Sequence, residues 1–357
     1  MATAPNGSSK LLRALKWIGT AILTLLAALI AAGIVWEQVE RARARNDYPP
    51  PGRMIDIGGR NMHLDCRGTG SPTIILEAGL DSNGSLAWDK VHDAIAQDSR
   101  TCAYDRAGVM WSDPKPKQDA EAIADDLHAL LAAAHIDGPI VLVGHSLGGP
   151  YSMTYVRKYG DQVKGLVFVD ASHPDQKRRL PPAVLAADKR VQEMYGTQRL
   201  LARFGWSGLP RLLMAGEDPG TPSGFSRRTA EVGRAYAAMT LAGTLKEAAS
   251  LDRSLDQAGK LRDLSDRPLV VLTAQKLPID QFEAFGMTEQ DARDFVAQWR
   301  LLTAEEAGWS TRSRHILVPD ATHYIQNDRP DLVVKAVAEV VAAVRKDEAT
   351  ASPAAEY

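Results

Sequence analysis

The pentapeptide Gly144-His145-Ser146-Leu147-Gly148 has the residue types and the spacing to carry out chemistry. It follows the apolar run 139–143 and precedes a segment with helical periodicity. A strand that turns sharply into a helix through Gly-x-Ser-x-Gly lifts the serine hydroxyl out of the sheet edge, and the tight turn requires the glycines. Ser146 is therefore predicted to be a nucleophile. The competing interpretation is a glycine-rich connection whose serine caps the helix.

A serine hydroxyl becomes a good nucleophile only when a base removes its proton and an acid orients that base. His323 is the candidate base, because it lies in the loop 320–324 just after the last predicted strand. Loops at the carboxyl ends of parallel strands open on the same side of the sheet, so Ser146 and His323 can meet. His145 is expected to pack beside the pentapeptide, and His173 to line the entrance of an inserted segment.

Charge and composition exclude several classes of protein. The net charge is −2, with 24% charged and 45% hydrophobic residues, which argues against a nucleic-acid-binding protein and against a disordered chain. The eight histidines show no His-x-His, His-Glu-x-x-His or Cys-x-x-Cys spacing, so no metal site and no cofactor are predicted.

The N-terminal region contains residues 18–35, an uncharged run between Trp17 and Trp36. As a helix this run is about 27 Å long, close to the hydrocarbon thickness of a bilayer. It predicts an uncleaved membrane anchor at about 17–36, followed by a solvated helical stalk within residues 1–46. A cleaved signal peptide is the alternative, since Ala31-Ala32-Gly33 offers small residues near its end. Basic residues flank both sides, and a long following domain is most simply placed outside the cytoplasm.

The remainder of the chain alternates strands and helices, which predicts a mostly parallel sheet covered on both faces. Apolar or alternating runs predict the strands, and Val333, Val337, Val340 and Val344 predict an amphipathic final helix that begins near Asp328. The predicted strands are 54–57, 61–66, 72–77, 100–105, 139–143, 167–170, 268–273 and 315–318.

Residues 174–266 carry helical stripes without a convincing strand, so we predict a helical cap inserted into a domain spanning 47–345. The alternative is a small separate domain with no role at the site. Residues 346–357 are predicted to be a disordered tail.

Residues 50–345 resemble the α/β-hydrolase superfamily in motif order, strand rhythm and the place of the cap. Four stretches carry the resemblance: Glu77-Ala78-Gly79-Leu80, Tyr104-Asp105-Arg106-Ala107-Gly108, Gly144-His145-Ser146-Leu147-Gly148-Gly149 and the late His323. The resemblance implies that Ser146 is the nucleophile and His323 the base. It also implies an oxyanion hole made by the backbone N–H groups of Leu147 and Leu80.

The acid is the point at which the sequence departs from the family pattern. The family usually places Asp or Glu a few residues after the penultimate strand, and 273–277 offers neither. Asp280 follows three residues later. Asp170, at the end of the strand after the nucleophile helix, is the position used by a minority of relatives, and we favour it over Asp280. Its alternative role is a structural carboxylate, and Asp175 is a third candidate.

Together these residues predict a serine hydrolase that cleaves a carboxylic ester through an acyl-enzyme intermediate. A serine argues against the epoxide and haloalkane branches of the resemblance, which use Asp as the nucleophile. Apolar stripes in the cap favour a hydrophobic ester, while amide, lactone and thioester substrates remain open, as does acyl transfer to an alcohol other than water. A non-catalytic ligand-binding protein is the alternative from another class. The family's strand order places Cys66 and Cys102 close together, as a disulfide if the domain is exported or as two buried thiols.

Overall fold

Eight strands form one sheet in the computed structural model, which describes residues 7–214 and 224–351. The strands are β1 (Arg53–Asp56), β2 (Asn61–Arg67), β3 (Thr73–Glu77), β4 (Thr101–Tyr104), β5 (Ile140–His145), β6 (Val163–Val169), β7 (Leu269–Ala274) and β8 (Ser313–Val318). Their order across the sheet is β1-β2-β4-β3-β5-β6-β7-β8. Strands β1, β2 and β4 pair antiparallel, and all other neighbouring pairs are parallel, which confirms the predicted mostly parallel sheet.

Thirteen helices are present in the same described ranges. They are α1 (Gly7–Asp47), α2 (His92–Ile95), α3 (Ala120–Ala133), α4 (Gly148–Tyr159), α5 (Gln176–Arg179), α6 (Pro182–Ala202), α7 (Leu209–Met214), α8 (Arg227–Ala249), α9 (Leu251–Ala258), α10 (Ile279–Ala284), α11 (Glu289–Ala307), α12 (Ile325–Asp328) and α13 (Pro330–Ala351).

Two apolar clusters lie on opposite faces of the sheet, because successive strand side chains point to opposite sides. Leu142 packs with α3 and α4 on one face. Val141 and Val143 pack with α2 and α13 on the other, where Val333 and Val337 are buried. The sheet is therefore covered on both faces, and its carboxyl edge is left for the loops that follow β3, β5, β6 and β8.

Helices α5 to α9 connect β6 to β7 and account for the segment predicted to be a cap. Within this segment α6 and α8 contact each other, whereas α9 packs against α3 and α4. The Ser254 hydroxyl accepts a hydrogen bond from the Ala120 N–H at 3.1 Å, and the side-chain amide oxygen of Gln257 accepts one from the Glu121 N–H at 3.0 Å. Helix α9 thus belongs with the layer that covers the sheet, and the helices that stand apart from the sheet end before Leu251.

Helix α1 continues through the predicted stalk and ends at Asp47, before the proline run. The prediction that this stalk is solvated is wrong in part, since Glu37 and Ala44 are buried. The stalk contacts α8 and the 3-10 turn Gly205–Ser207, which sequence periodicity could not indicate. In contrast, the apolar side chains of residues 18–35 are almost all exposed, and α1 is long and apolar enough to cross a membrane.

Two further expectations are decided by the structure. Helix α13 runs to Ala351, so residues 346–351 are helical and not a disordered tail, with an ion pair of 2.7 Å between Asp347 and Arg312. Residues 352–357 lie outside the described ranges. Cys66 and Cys102 face each other on the paired strands β2 and β4 and form a disulfide, so the buried-thiol alternative does not hold.

Candidate active site

Ser146 lies on a sharp turn between β5 and α4. Its φ is +52°, a left-handed conformation that a residue with a side chain adopts only when its surroundings enforce it. The glycines around it are required by close contacts. A Cβ on Gly144 would lie 2.6 Å from the backbone of Gly148, and one on Gly148 would lie 2.2 Å from the Glu77 carbonyl oxygen. The turn therefore needs glycine on both sides of the serine, as the pattern predicted.

The loop after β3 lies directly against this turn. A Cβ on Gly79 would lie 2.9 Å from the Ser146 Cβ, so only glycine allows the loop to come this close. The next residue, Leu80, packs on the apolar cluster that contains Leu147. Neither the Leu80 N–H nor the Leu147 N–H donates a hydrogen bond to any residue in the described ranges. Both groups are free to donate to a substrate oxygen beside Ser146.

His323 and Asp170 are hydrogen-bonded to each other. The distance from His323 Nδ1 to Asp170 Oδ2 is 2.6 Å. His323 lies in the loop after β8 with its side chain 40% exposed, whereas Asp170 directly follows β6 and is buried. Asp170 also has a positive φ, of +46°, which turns its side chain at the strand end. The carboxylate fixes the imidazole tautomer and leaves Nε2 of His323 to act on a proton.

The other oxygen of Asp170 is held by two donors. The Ala274 N–H and the Trp299 indole Nε1–H each donate to Asp170 Oδ1 at 2.9 Å. Trp299 lies in α11 and was not among the site residues predicted from the sequence. A tryptophan in an otherwise polar helical segment was the available signal. These two donors keep Oδ2 directed at His323.

The competing acids are placed elsewhere. Asp280 lies in the first turn of α10 and is exposed, with no hydrogen bond to His323. Asp175 forms ion pairs with Arg178 and Arg262. The structure therefore brings Ser146, His323 and Asp170 to one edge of the sheet and leaves Asp280 and Asp175 away from His323.

His145 connects the serine turn to the His323 loop. Its Nε2–H donates to the His323 carbonyl oxygen at 2.9 Å, and the two rings lie 4.7 Å apart. Burial, together with the neighbouring His323, lowers the pKa of His145 well below its usual value, so this ring is neutral. His145 is thus more than a packing residue, because it positions the backbone that carries His323.

A buried arginine fixes the loop that carries Leu80. Arg106 donates from Nη1 to the Ala78 carbonyl and from Nη2 to the Gly79 carbonyl, each at 2.7 Å. The same guanidinium pairs with Glu77 at 2.7 Å and with Glu247 of α8 at 2.8 Å. The N–H and C=O of a trans peptide point in opposite directions. Because Arg106 holds the Gly79 carbonyl, it also sets the direction of the Leu80 N–H.

Known proteins resemble this chain in family and in fold. Residues 72–330 match the family described as alpha/beta hydrolase fold. The chain belongs to this α/β-hydrolase family. The match covers the strands from β3 onwards, the serine turn, the insertion and the His323 loop.

Individual relatives differ in how much of this chain they match. An uncharacterised protein of Schizosaccharomyces pombe is 42% identical over 34% of this chain, which spans only 28% of that protein's length. A 2-(acetamidomethylene)succinate hydrolase of Mesorhizobium japonicum is 25% identical over 81% of this chain and 94% of its own. The structure of a thermophilic esterase from Thermogutta terrifontis has a TM-score of 0.54, with 23% identity over 80% of this chain and 94% of that one. That structural likeness shows the fold.

Asp81 adds a titratable group next to Leu80. Its Oδ1 accepts hydrogen bonds from the N–H groups of Asn83 at 2.7 Å and Gly84 at 3.1 Å, while the buried Oδ2 has no hydrogen-bond partner among the described residues. Burial raises the pKa of Asp81 to about 6, against the lowering effect of these two N–H groups. The loop beside the serine turn therefore changes charge in the mildly acidic range.

One group of possible metal ligands lies in the described ranges, formed by His173, Asp175 and Glu305. The Arg262 guanidinium lies 3.2 Å from His173 Nε2 and 3.1 Å from Asp175, so a cation already neutralises the group. Burial and the charge of Arg262 lower the pKa of His173 to about 4. These residues form an ion-pair cluster beside the inserted helices. The positive charge of Arg262 would repel a metal ion there.

Proposed function

We propose that this chain is a serine hydrolase that cleaves a carboxylic ester through an acyl-enzyme intermediate, with Ser146, His323 and Asp170 as its catalytic triad. The observation that carries the proposal is the hydrogen bond between His323 and Asp170 at the sheet edge where Ser146 stands in a left-handed turn. Membership of the α/β-hydrolase family supports hydrolysis as the reaction class.

In the proposed first half-reaction, Ser146 Oγ attacks the acyl carbon while His323 Nε2 takes the hydroxyl proton. The negative charge that develops on the carbonyl oxygen is met by the N–H groups of Leu80 and Leu147. One such donor lowers the barrier by about 3 kcal/mol. The intermediate collapses when His323 returns the proton to the leaving alcohol, and Ser146 remains acylated.

In the second half-reaction, water attacks the acyl-enzyme and His323 again acts as the base. The carboxylic acid is released, and Ser146 regains its proton. Asp170 orients His323 and stabilises the imidazolium that forms there in both steps. Its bonds to Ala274 and Trp299 support this role, because they hold the carboxylate in one orientation.

A carboxylic ester is the substrate class we favour, and apolar stripes in the inserted helices favour a hydrophobic one. The branches of the family that open epoxides or haloalkanes use an aspartate where this chain has Ser146. Alkylation of a serine hydroxyl in such a reaction would give an ether, which has no acyl carbon for water to attack. Acyl transfer chemistry fits the serine, and among acyl compounds an ester has a better leaving group than an amide.

We also propose that α1 anchors the protein in a membrane with the catalytic domain outside the cytoplasm. The uncharged, exposed run 18–35 supports the anchor. The disulfide between Cys66 and Cys102 supports an oxidising compartment, since disulfides are rare in the reducing cytosol. Extraction of membranes with alkaline carbonate tests the anchor, and release of full-length chain would contradict it.

Labelling by a fluorophosphonate probe tests the hydrolase proposal. We expect the intact protein to be labelled and to hydrolyse simple p-nitrophenyl esters, and we expect Ser146→Ala to lose both properties. Ser152→Ala is the matched control, because this buried α4 hydroxyl has no hydrogen-bond partner and lies outside the proposed triad. Absence of labelling in the folded wild-type protein, or equal labelling of Ser146→Ala, would indicate a ligand-binding protein instead.

A further inference from the structure

The inserted helices carry a group of exposed apolar side chains, which we call the α7 patch. It consists of Leu200, Phe204, Trp206, Leu209, Leu212 and Leu213, each more than a third exposed. Large apolar side chains that are exposed together mark a site of contact with another protein or a membrane. The patch lies on the end of α6, the 3-10 turn Gly205–Ser207 and α7.

Helix α1 is in direct backbone contact with the patch. A Cβ on Gly33 would lie 2.3 Å from the Ser207 carbonyl oxygen, and a Cβ on Gly208 would lie 2.8 Å from the Gly33 carbonyl oxygen. Gly208 has a φ of +75°, so the chain turns here in a conformation that favours glycine. Two glycines therefore allow the turn to lie flat against the helix.

One turn further along α1, a buried ion pair also holds this helix against α7. Glu37 is buried, and its carboxylate pairs with Arg211 of α7 and with Arg41 of α1, each at 2.7 Å. Arg41 also donates to the Gly205 carbonyl at 3.4 Å. A buried carboxylate with two guanidinium partners is costly to separate. These contacts hold the segment that carries the patch against α1.

The position of this contact along α1 indicates how deep in a bilayer the patch would lie. The uncharged run ends at Val35 and Trp36, and the first charge is Glu37. Gly33 lies three residues before Trp36, about 4–5 Å along the helix axis. The headgroup region on each side of a bilayer is about 5–8 Å thick. If α1 spans the membrane, the patch lies at the depth of this interface.

We propose that the α7 patch is a second membrane-contact surface, embedded in the interface of the same bilayer that α1 spans. Its composition fits this environment, since Phe204 and Trp206 are typical interfacial residues and Arg203 supplies a cation for lipid phosphates. The inference rests on the proposed membrane anchor and not on the proposed ester chemistry. In this proposal, the side of the inserted helices that carries the α7 patch faces the lipid.

Fluorescence labelling of full-length protein in vesicles of phosphatidylcholine and phosphatidylglycerol tests this proposal. The two native cysteines form a disulfide, so a cysteine introduced by Leu212→Cys is the sole free thiol for an environment-sensitive NBD label. Leu301→Cys on α11 is the matched control, because Leu301 is 60% exposed and Leu212 is 61% exposed. We expect brominated lipids to quench the label at residue 212 several times more strongly than the label at residue 301.

Equal quenching at the two positions would overturn the proposal. A label at residue 212 that is shielded from water in detergent, and is not quenched by brominated lipid, would indicate contact with a second copy of the chain and would also overturn it. Flotation of the vesicles reports on the anchor separately, and protein that does not float contradicts both membrane proposals. Fluorophosphonate labelling of the same samples reports on Ser146, so failure of the hydrolase proposal is recognised independently.

Gly33→Leu tests whether α1 holds the patch in place. The larger side chain preserves an apolar helix but cannot fit against the Ser207 carbonyl. We expect the variant to float with the vesicles while lipid quenching of the label at residue 212 falls to the level of the label at residue 301. Quenching that persists unchanged would contradict the positioning by α1.

Discussion

Asp170 divides its hydrogen bonds between two oxygens, and this division decides what the carboxylate can do. Oδ1 accepts from the Ala274 N–H and the Trp299 indole, and Oδ2 accepts from His323. These three hydrogen bonds fix the orientation of the Asp170 carboxylate, which is what a serine triad requires of its acid.

Substitution of Asp170 and of Asp280 tests which of these two carboxylates is the acid of the proposed triad. We expect Asp170→Asn to lower kcat for ester hydrolysis by about 10⁴-fold, because an amide stabilises the wrong imidazole tautomer. Asp280→Asn should leave kcat within about twofold, since exposed substitutions away from a site have small effects. Steady-state rates of both variants check this, and a large loss in Asp280→Asn alone would reverse the assignment.

Asp81 gives a prediction about pH and stability. Its pKa is raised to about 6 in the folded state, so the folded protein binds a proton more tightly than the unfolded chain. The stability of the wild type should therefore fall as pH rises from about 4 to 6 and stay lowered above that range. Asp81→Asn keeps an oxygen that can accept from Asn83 and Gly84, and it should be more stable at pH 7 by up to about 3 kcal/mol.

Urea unfolding of wild type and Asp81→Asn across pH 4 to 8 checks this sign. The difference between the two curves should shrink as pH falls toward 4, because the wild-type carboxyl is then protonated in the folded state and partly protonated in the unfolded state. Asp256→Asn, at an exposed carboxylate of α9, is the control and should differ from wild type by less than about 0.5 kcal/mol. A difference for Asp81→Asn that grows toward low pH would contradict the raised pKa.

At the scale of elements, α8 of the insertion is connected through one guanidinium to the loop that carries Leu80, the proposed oxyanion donor. Glu247 of α8 holds Arg106, and Arg106 holds the carbonyls of Ala78 and Gly79. All of these charged side chains are buried, so the interaction is not weakened by solvent. A displacement of α8 would therefore be transmitted to the direction of the Leu80 N–H.

Arg106→Lys tests this connection, because an ammonium cannot bind both carbonyls and both carboxylates with the geometry of a guanidinium. We expect kcat to fall by about 10²-fold with KM nearly unchanged, since an oxyanion donor acts on the transition state. Arg267→Lys is the matched control, because Arg267 also donates to backbone carbonyls, at Val163, Gly160 and Leu264. It should lower the melting temperature and leave kcat unchanged. A rise in KM alone for Arg106→Lys would contradict the role.

Most elements could be predicted from the sequence because each buried strand is a short apolar run between polar turns. The run 139–143 and the repeat of valines in α13 each identify an element and its buried face. The serine turn could be predicted for the same local reason, since its glycines are adjacent in the chain. These features depend on spacing over only a few residues.

The pairings between distant segments could not be predicted in this way. Trp299 and Asp170 are 129 residues apart, and Arg106 and Glu247 are 141 apart. Whether such side chains meet depends on how α8 and α11 pack on the sheet, which periodicity does not specify. The same limit applies to the stalk, where the sequence shows a charged helix but not the α7 side chains that cover Glu37.

At the scale of the whole molecule, three features agree on one placement of the chain. The exposed run of α1 and the α7 patch favour attachment to a membrane, and the Cys66–Cys102 disulfide favours an oxidising compartment. The disulfide concerns redox chemistry and is independent of α1, whereas the placement of the α7 patch rests on the proposed anchor. The agreement supports a membrane-anchored hydrolase without depending on the identity of its ester.

The burial of Glu37 and Ala44 also decides where a secreted, water-soluble form of the protein should begin. A cut after the uncharged run, just before Glu37, removes the span but keeps the carboxylate that neutralises Arg211. A cut near Asp47 would remove it as well, leaving that arginine unneutralised and uncovering Val109 and Tyr236, which pack with Ala44. In the proposed anchored protein, α1 is therefore divided between two solvents, and its last three turns belong to the water-soluble domain.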